Sequence, residues 1–507
     1  MYTSKDLELF ENKIDDMEHE LIKRENELLE PTFKTLKELE QIVYNFVKEK
    51  KRKIYGGYAQ NKLIYIKNKE DAFYPEDQLA DIDFYSPNPI EDAMELVNII
   101  IKKGYNYVQA SEAFHNGTYS VFAEHNNVAD ISYVPKNIYH RMPFIEIDGV
   151  NFTAPSFIMI DMFRMISDPL TSGTHRWKKI FPRIVKLQKH YPFNKATAPL
   201  PKLDIDIPND IKEIHNAYLK TTFDFLKTHN TTIVVGNPVY NYYLNISNIL
   251  KDNKKKIYKL LDIPYFEFIS INYKDDGKEL YNMLRALNPD IESDISITEY
   301  YPFWQFLGYS AIIKYKDYPI AHIIHYNRKC TPITSINANM IGFNLDKSSD
   351  NIQIGTYDVN FLVNLIIGFK YRVNKDEKHS NYSNIMASHL IDIRNYYLEH
   401  HKKTIFDDTP FKEYTFDCIG KTMNPLIETR ILRDKRKKSG KNIIWRYSPE
   451  KNNLKEPSTT HIFMNSSGNE VRNIKNLKII QVDYVKDSDK KNDETDLEED
   501  DIDDIDL

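Results

Sequence analysis

A chain of 507 residues with 41% hydrophobic and 28% charged positions is too long for one core and fits an enzyme of two or three domains. Its two cysteines, Cys330 and Cys418, exclude a disulfide framework and suggest a reducing compartment; the charged start and the shortness of the best apolar run, 361–369 with Asn364 inside it, argue against a signal peptide or a membrane span. The net charge of −6 is uneven: residues 487–507 hold 12 acidic and 2 basic side chains, so that tail carries −10 and the other 486 residues +4.

Residues 4–49 read as one or two long helices, with Leu7, Leu9, Ile14, Met17, Leu21 and Ile22 forming a stripe expected to pack against the body. A glycine turn, Gly56-Gly57, follows the short β-prone run at Ile54-Tyr55. About twenty residues later comes Ala80-Asp81-Ile82-Asp83-Phe84-Tyr85, in which the two acids stand at i and i+2 and leave one face of an extended strand. Such a pair alone also marks an ordinary strand end. A third acid, Asp130, lies in another β-prone run, where it shares a face with Ser132 while Ala129 and Ile131 face the core. Three carboxylates on neighbouring strands suit two divalent ions roughly 4 Å apart, the clamp used for in-line displacement at phosphorus. Oxygen-only ligands favour Mg2+ or Mn2+ over zinc. The glycines let the backbone approach a triphosphate, and the helix after them aims its first amides at the phosphates.

The triple formed by Gly56-Gly57, Asp81-x-Asp83 and Asp130 resembles the nucleotidyltransferase superfamily that includes poly(A) polymerases, over residues 50–135. More narrowly, Gly56-Gly57-Tyr58-Ala59-Gln60-Asn61, Asp81-Ile82-Asp83-Phe84-Tyr85, Asp130-Ile131-Ser132-Tyr133 and the segment 161–183 are similar to the viral poly(A) polymerases of large cytoplasmic DNA viruses, in particular the giant amoebal viruses. The resemblance implies an α+β fold: a nucleotidyltransferase catalytic domain built on a mixed sheet with helices, a second, degenerate nucleotidyltransferase-like domain, and helical additions. Gly57 stands where the commoner pattern has a phosphate-binding serine, so Tyr58 or Asn61 is the substitute donor. Helices after the acid-bearing sheet would bring Lys178, Lys179 and Arg183 to the triphosphate. A solvated basic helix face is the plainer alternative. The resemblance also implies a homodimer, or a processivity partner, working in the viral factory of the host cytoplasm and carried in the virion.

Pro199, Pro201 and Pro208 mark residues 195–208 as a connection, and 211–227 reads as a helix. The second half reads as an echo of the first: Gly236 repeats the glycine turn, Glu267 stands on the strand where the acid pair would recur, and His322 takes the place of Asp130; independent β-rich runs are the competing reading. Helices are expected at 354–371 and 384–399, the latter striped by Ile385, Met386, Leu390, Ile393 and Tyr397. Seven basic residues fall between Arg430 and Lys441, and Arg433, Lys435, Arg436, Lys437 and Lys438 are the candidates for binding the RNA strand, with Trp445, Arg446 and Tyr447 beside them for base stacking. A solvated basic loop is the competing reading. The acidic tail reads as disordered, a shield for a cationic groove or simply a solubilising end.

The division expected is therefore an N-terminal helical region (1–49), a catalytic domain (50–195), a degenerate copy (209–375), a helical and basic region (376–486) and the acidic tail (487–507). The activity expected is template-independent transfer of AMP from ATP to the 3′ hydroxyl of single-stranded RNA, with pyrophosphate released and Mg2+ or Mn2+ bound by Asp81, Asp83 and Asp130. Two alternatives stay open: a nucleotidyltransferase using another nucleotide or acceptor, and an RNA-binding protein with an inactive core.

Overall fold

The computed structural model describes residues 2–74, 79–115, 117–170, 173–202, 205–252, 256–326, 330–343, 349–440, 445–449 and 470–475. The acidic tail and Lys441 lie outside the described residues.

Two helices come first, α1 (Ser4–Leu28) and α2 (Phe33–Glu49). The first sheet module then runs β1 (Lys53–Tyr55), α3 (Gly56–Tyr65), β2 (Ile82–Ser86), α4 (Pro89–Lys102), β3 (Gln109–Glu112), β4 (Thr118–Ala123), β5 (Asn126–Tyr133), α5 (Lys136–Arg141), β6 (Phe144–Ile147), β7 (Val150–Thr153), α6 (Pro155–Ile166) and α7 (Gly173–His190). The second runs α8 (Asn209–Thr228), β8 (Thr232–Val235), α9 (Asn237–Ser247), β9 (Phe266–Ser270), α10 (Tyr273–Leu287), β10 (Ile295–Tyr300), β11 (Ser310–Tyr315), β12 (Tyr318–His325), β13 (Thr331–Asn337), β14 (Asn351–Gly355), α11 (Tyr357–Val373) and α12 (Glu377–His401). The chain continues through β15 (Cys418–Ile419), α13 (Pro425–Lys438), β16 (Arg446–Tyr447) and β17 (Glu470–Lys475).

The two mixed sheets share one plan. Seven strands of the first lie in the order β6-β7-β1-β2-β5-β4-β3, and seven of the second in the order β13-β14-β8-β9-β12-β11-β10. Every corresponding pair also agrees in direction: β1–β7 and β2–β5 are parallel, as are β8–β14 and β9–β12, and the remaining neighbours are antiparallel. In each module a positive-φ glycine joins the first strand to its helix, Gly56 (φ 71°) and Gly236 (φ 75°). A Cβ on either would collide with the acid of the next strand, Asp83 or Glu267, so steric crowding as well as backbone conformation calls for glycine there.

Local sequence accounts for how these elements bury themselves. Leu39, Ile42, Val43, Phe46 and Val47 form one stripe of α2 and pack on the first sheet. Helix α11 is apolar nearly all round because it lies between layers: Phe361 faces the second module's core, while Leu362, Ile366 and Phe369 join Phe157 and Ile160 of α6 in a third cluster between the sheets. That sandwich explains the run 361–369. Among the described residues no helix is long and apolar enough to cross a membrane.

Three expectations change. The α1 stripe does not pack on the body: Leu7, Leu9, Met17 and Leu21 are at least half exposed. Cys330 and Cys418 are joined in a disulfide across 88 residues, their Cα atoms 5.3 Å apart, which removes the ground for inferring a reducing compartment. Among the described residues of 376–486, the stripe of α12 (Met386, Leu390, Ile393) buries into the second core, β15 and β17 add to the second sheet, and β16 adds to the first. Trp445 and Tyr447 do not form a stacking surface. Trp445 is 4% exposed with its ring 5.4 Å from that of Tyr119, and the Tyr447 hydroxyl donates to Asn98 at 3.0 Å.

Candidate active site

Strands β2 and β5 run parallel with Asp83 directly opposite Asp130, which sets the two Cα atoms about 4.8 Å apart. Alternation puts Ile82 and Phe84 into the core and Asp81 and Asp83 on the other face, while Ala129 and Ile131 are buried behind Asp130. The three acids therefore share one face. Asp130 is oriented from two strands: Ser120 Oγ on β4 donates to its Oδ1 at 2.6 Å, and Asn127 Nδ2, on its own strand β5, donates to the same oxygen at 3.1 Å. The Asp83 carboxyl is pushed up to about 8, first by burial and then by Asp130 and Asp81, with Lys179 opposing. Asp81, at the rim, moves upward for the same reasons: desolvation, then Asp130, again opposed by Lys179.

Among the described residues no group of three Asp, Glu, His or Cys side chains is arranged to hold a metal ion. The donor chemistry nevertheless fits a divalent cation. Three carboxylates crowd one face, and the most deeply buried is held toward its neutral form by burial first and then by the charge of the other two. A bound dication would relieve that repulsion.

Helix α3 starts at this face, so its first amides point toward the acids. Its neighbour α7 contributes the cations. Lys179 and Arg183, four residues apart, share a face; Lys179 acts electrostatically on both Asp81 and Asp83, and Arg183 reaches the glycine turn. Arg183 donates from Nη2 to the Tyr74 hydroxyl at 3.2 Å, and its guanidinium lies 4.2 Å from the centre of the Phe73 ring. Lys178 is exposed and turned about 100° away round the helix from Lys179, so it is not brought to the acids.

The two substitute donors also lie elsewhere. Tyr58 stacks on Phe152, its ring 6.5 Å away, with its hydroxyl raised by burial and by Glu40 and Tyr44. Asn61 uses its Oδ1 to accept from the amides of Phe73 and Tyr74, at 2.8 and 3.1 Å, and so holds the loop that carries Tyr74. A side chain at Gly57 would run into the Tyr74 hydroxyl and come within 3.1 Å of Arg183 Nη1, so the tyrosine and arginine occupy the space of the missing serine. Sequence reasoning passed over Tyr74, for which a Phe-Tyr pair in a loop gives no signal. It also missed Ser120, legible only once the β4–β5 register is known.

Beside the acids the second module closes in. Tyr55 stacks on Tyr85 at 3.9 Å, Tyr55 shares a hydrogen bond with Ser132 at 2.7 Å, and the Tyr85 hydroxyl donates to Asp161 at 3.1 Å. Trp304 packs edge-on to Tyr85 at 5.6 Å and donates from Nε1 to the Tyr133 carbonyl at 3.1 Å.

The basic stretch near the C-terminus is partly structural. Arg436 donates to both oxygens of Glu112 at 2.8 Å, and Arg433 lies over the Phe114 ring at 5.4 Å, anchoring α13 to the first module. Lys437 and Lys438 are exposed; Lys435 is half-buried.

Comparison with known proteins agrees with this geometry. A family model of the poly(A) polymerase catalytic subunit matches residues 41–172, and a second, for the C-terminal part of such a catalytic subunit, matches 186–481. A protein of Acanthamoeba polyphaga mimivirus, named as a poly(A) polymerase catalytic subunit, is 32% identical over 492 residues, 93% of this chain and 83% of its own length. One of African swine fever virus, named in the same way, is 31% identical over 41% of this chain and 47% of its own. The crystal structure of the Megavirus polyadenylate synthase superposes with a TM-score of 0.82 at 33% identity, covering 94% of both chains. The chain belongs to the viral poly(A) polymerase catalytic subunits, template-independent enzymes of the nucleotidyltransferase superfamily.

Proposed function

We propose that this chain transfers AMP from ATP to the 3′ hydroxyl of single-stranded RNA with Asp81, Asp83 and Asp130 as the ligands of Mg2+ or Mn2+. The observation that carries this reading is the register of Asp83 against Asp130, with Asp81 two residues back on the same face. Ions held there would lower the pKa of the attacking hydroxyl and stabilise charge at the phosphate. The chain's own groups do the rest. Gly56 lets the backbone approach, the start of α3 supplies amides, and Lys179 and Arg183 meet the charge that develops on the leaving pyrophosphate. Tyr74 keeps the Arg183 guanidinium in place. Exposed Lys437 and Lys438, with Lys435 beside them, are the part of α13 offered to the RNA backbone.

The second module repeats the sheet plan with Glu267 and His322 where the first has Asp83 and Asp130, which supports reading it as a degenerate nucleotidyltransferase domain. Family membership supports a location in the viral factory of the host cytoplasm, and in the virion. A homodimer fits the exposed face of α1, where Leu7, Phe10, Ile14, Met17 and Leu21 repeat at the 3,4 spacing of a helix-pairing seam. Glu11, Glu18 and Glu25 flank one side and Lys13, Glu20 and Glu27 the other, a mostly acidic border, so in such a dimer α1 would meet a basic surface of the second copy rather than its α1.

Primer extension tests the activity. A short RNA incubated with the protein, a divalent ion and one nucleoside triphosphate at a time should lengthen with ATP. Extension by UTP or CTP alone would point to another nucleotidyltransferase, and no extension under any condition would point to the RNA-binding alternative.

A further inference from the structure

The second module has a cleft of its own in the position the catalytic site occupies in the first. It opens beside Gly236, Asn237 and Glu267 and is bounded by α11 and α12, which follow β14 as α6 and α7 follow β7. The space, counted together with the open solvent at its mouth, is about 630 Å³.

Its chemistry differs from the catalytic cleft in a specific way. Helix α7 sends two cations, Lys179 and Arg183, to the first glycine turn; α12 offers His379, Tyr382 and Ser383 to the second. The residue after Gly236 is Asn237, whose Oδ1 accepts from the Tyr382 hydroxyl at 3.0 Å. Among the described residues no lysine or arginine lines this cleft. Its lining lacks the counter-charges for a triphosphate as well as the acid pair, while Lys370, outside the lining, acts electrostatically on Glu267.

What it keeps are acceptors and flat rings. Asn360 is 6% exposed and donates both to the Gly355 carbonyl and, at 3.0 Å, to that of Thr356, which fixes the amide orientation and leaves Oδ1 buried without a partner among the described residues. Glu267 is tied on one oxygen to His322 Nδ1, at 2.7 Å. Tyr265, Tyr371 and Tyr382 supply aromatic surface. A ligand that satisfies this set has N–H donors on a flat ring and no phosphate inside the cleft.

We propose that this cleft binds an amino-bearing nucleobase, whose exocyclic N–H groups donate to Asn360 and Glu267 while its ring lies among the tyrosines. With Glu267 and His322 in place of the aspartates, it holds the base without reacting. The base comes either from a free nucleoside or from the RNA strand, which the test separates.

The experiment is photolabelling of the full chain by 8-azidoadenosine without divalent ions, followed by peptide mapping. The expected label falls on peptides carrying Tyr265, Tyr371 or Tyr382 and is suppressed about tenfold or more by excess adenosine but not by inorganic pyrophosphate. If oligo(A) suppresses it at lower nucleotide concentration than adenosine does, the RNA strand is the source; if adenosine alone suppresses it, the free nucleoside is. Glu267→Gln, provided it melts at the wild-type temperature, should lose most of the label. Label confined to the β1–α3 turn and α7, suppression by pyrophosphate, or a folded Glu267→Gln protein labelled like the wild type would overturn the proposal. Because no nucleotide transfer is measured, failure here is separate from failure of the polymerase reading.

Discussion

The Tyr74 hydroxyl accepts a hydrogen bond from Arg183 at 3.2 Å, and together the two fill the space that a side chain at position 57 would need. The glycine pair is therefore matched to an arginine that arrives from α7, more than a hundred residues later in the chain.

Gly57→Ser should raise the KM for ATP by about tenfold or more, because the new side chain displaces Tyr74 and with it Arg183. Adding Tyr74→Phe to Gly57→Ser removes the colliding oxygen and should restore part of the loss. Steady-state primer extension with varied ATP, run as a double-mutant cycle, reads the coupling directly. Independent effects of the two substitutions would refute the packing argument.

On α13 the lysines and the arginine should separate. Replacing Lys437 and Lys438 by alanine should weaken primer binding and reduce the salt slope by about 0.7 for each phosphate that is no longer neutralised. Arg436→Ala should lower the melting temperature instead, since it leaves Glu112 without the guanidinium nitrogen that donates to both of its oxygens. Fluorescence anisotropy of a labelled RNA at several salt concentrations, beside thermal melts, distinguishes the two outcomes.

Stability should also depend on pH through Glu413. This carboxyl is 7% exposed and is pushed up to about 7 by burial, against the opposing pull of Arg394, whose Nη1 lies 2.9 Å away. The folded state thus holds the proton more tightly than the unfolded chain. Its contribution is fully present below the ordinary glutamate value of about 4.5 and is lost as pH rises through about 7. Melting temperatures measured from pH 5 to 8 should fall across that window, by an amount worth a few kcal/mol at most. Glu413→Gln should flatten this part of the curve, and an unchanged slope would show that the group does not titrate there.

Much of the candidate catalytic face was legible because it rests on period and spacing. Asp81 and Asp83 two apart, and Asp130 alternating with Ala129 and Ile131, fix which side chains leave the sheet together. Lys179 and Arg183 follow from helical spacing once the helix is placed. The echo of Gly236, Glu267 and His322 was legible for the same reason, and the register of β9 against β12 puts Glu267 beside His322. Long-range events were not legible. Nothing local says that Arg436 meets Glu112, that Trp445 buries against Tyr119, or that Cys418 returns to Cys330. Tyr58 misled because a tyrosine beside a glycine turn can face either the phosphates or the core, and α2 decides which. The α1 stripe satisfied the helical pattern but carried no information on what it packs against.

The most direct test of the central claim is primer extension by an Asp81→Asn, Asp83→Asn double variant with ATP and Mg2+ or Mn2+, after its melting curve is shown to match a folded protein. The account predicts loss of AMP incorporation by on the order of a thousandfold or more, with RNA binding retained. Tailing near the wild-type rate would contradict it and remove the three aspartates from the chemistry.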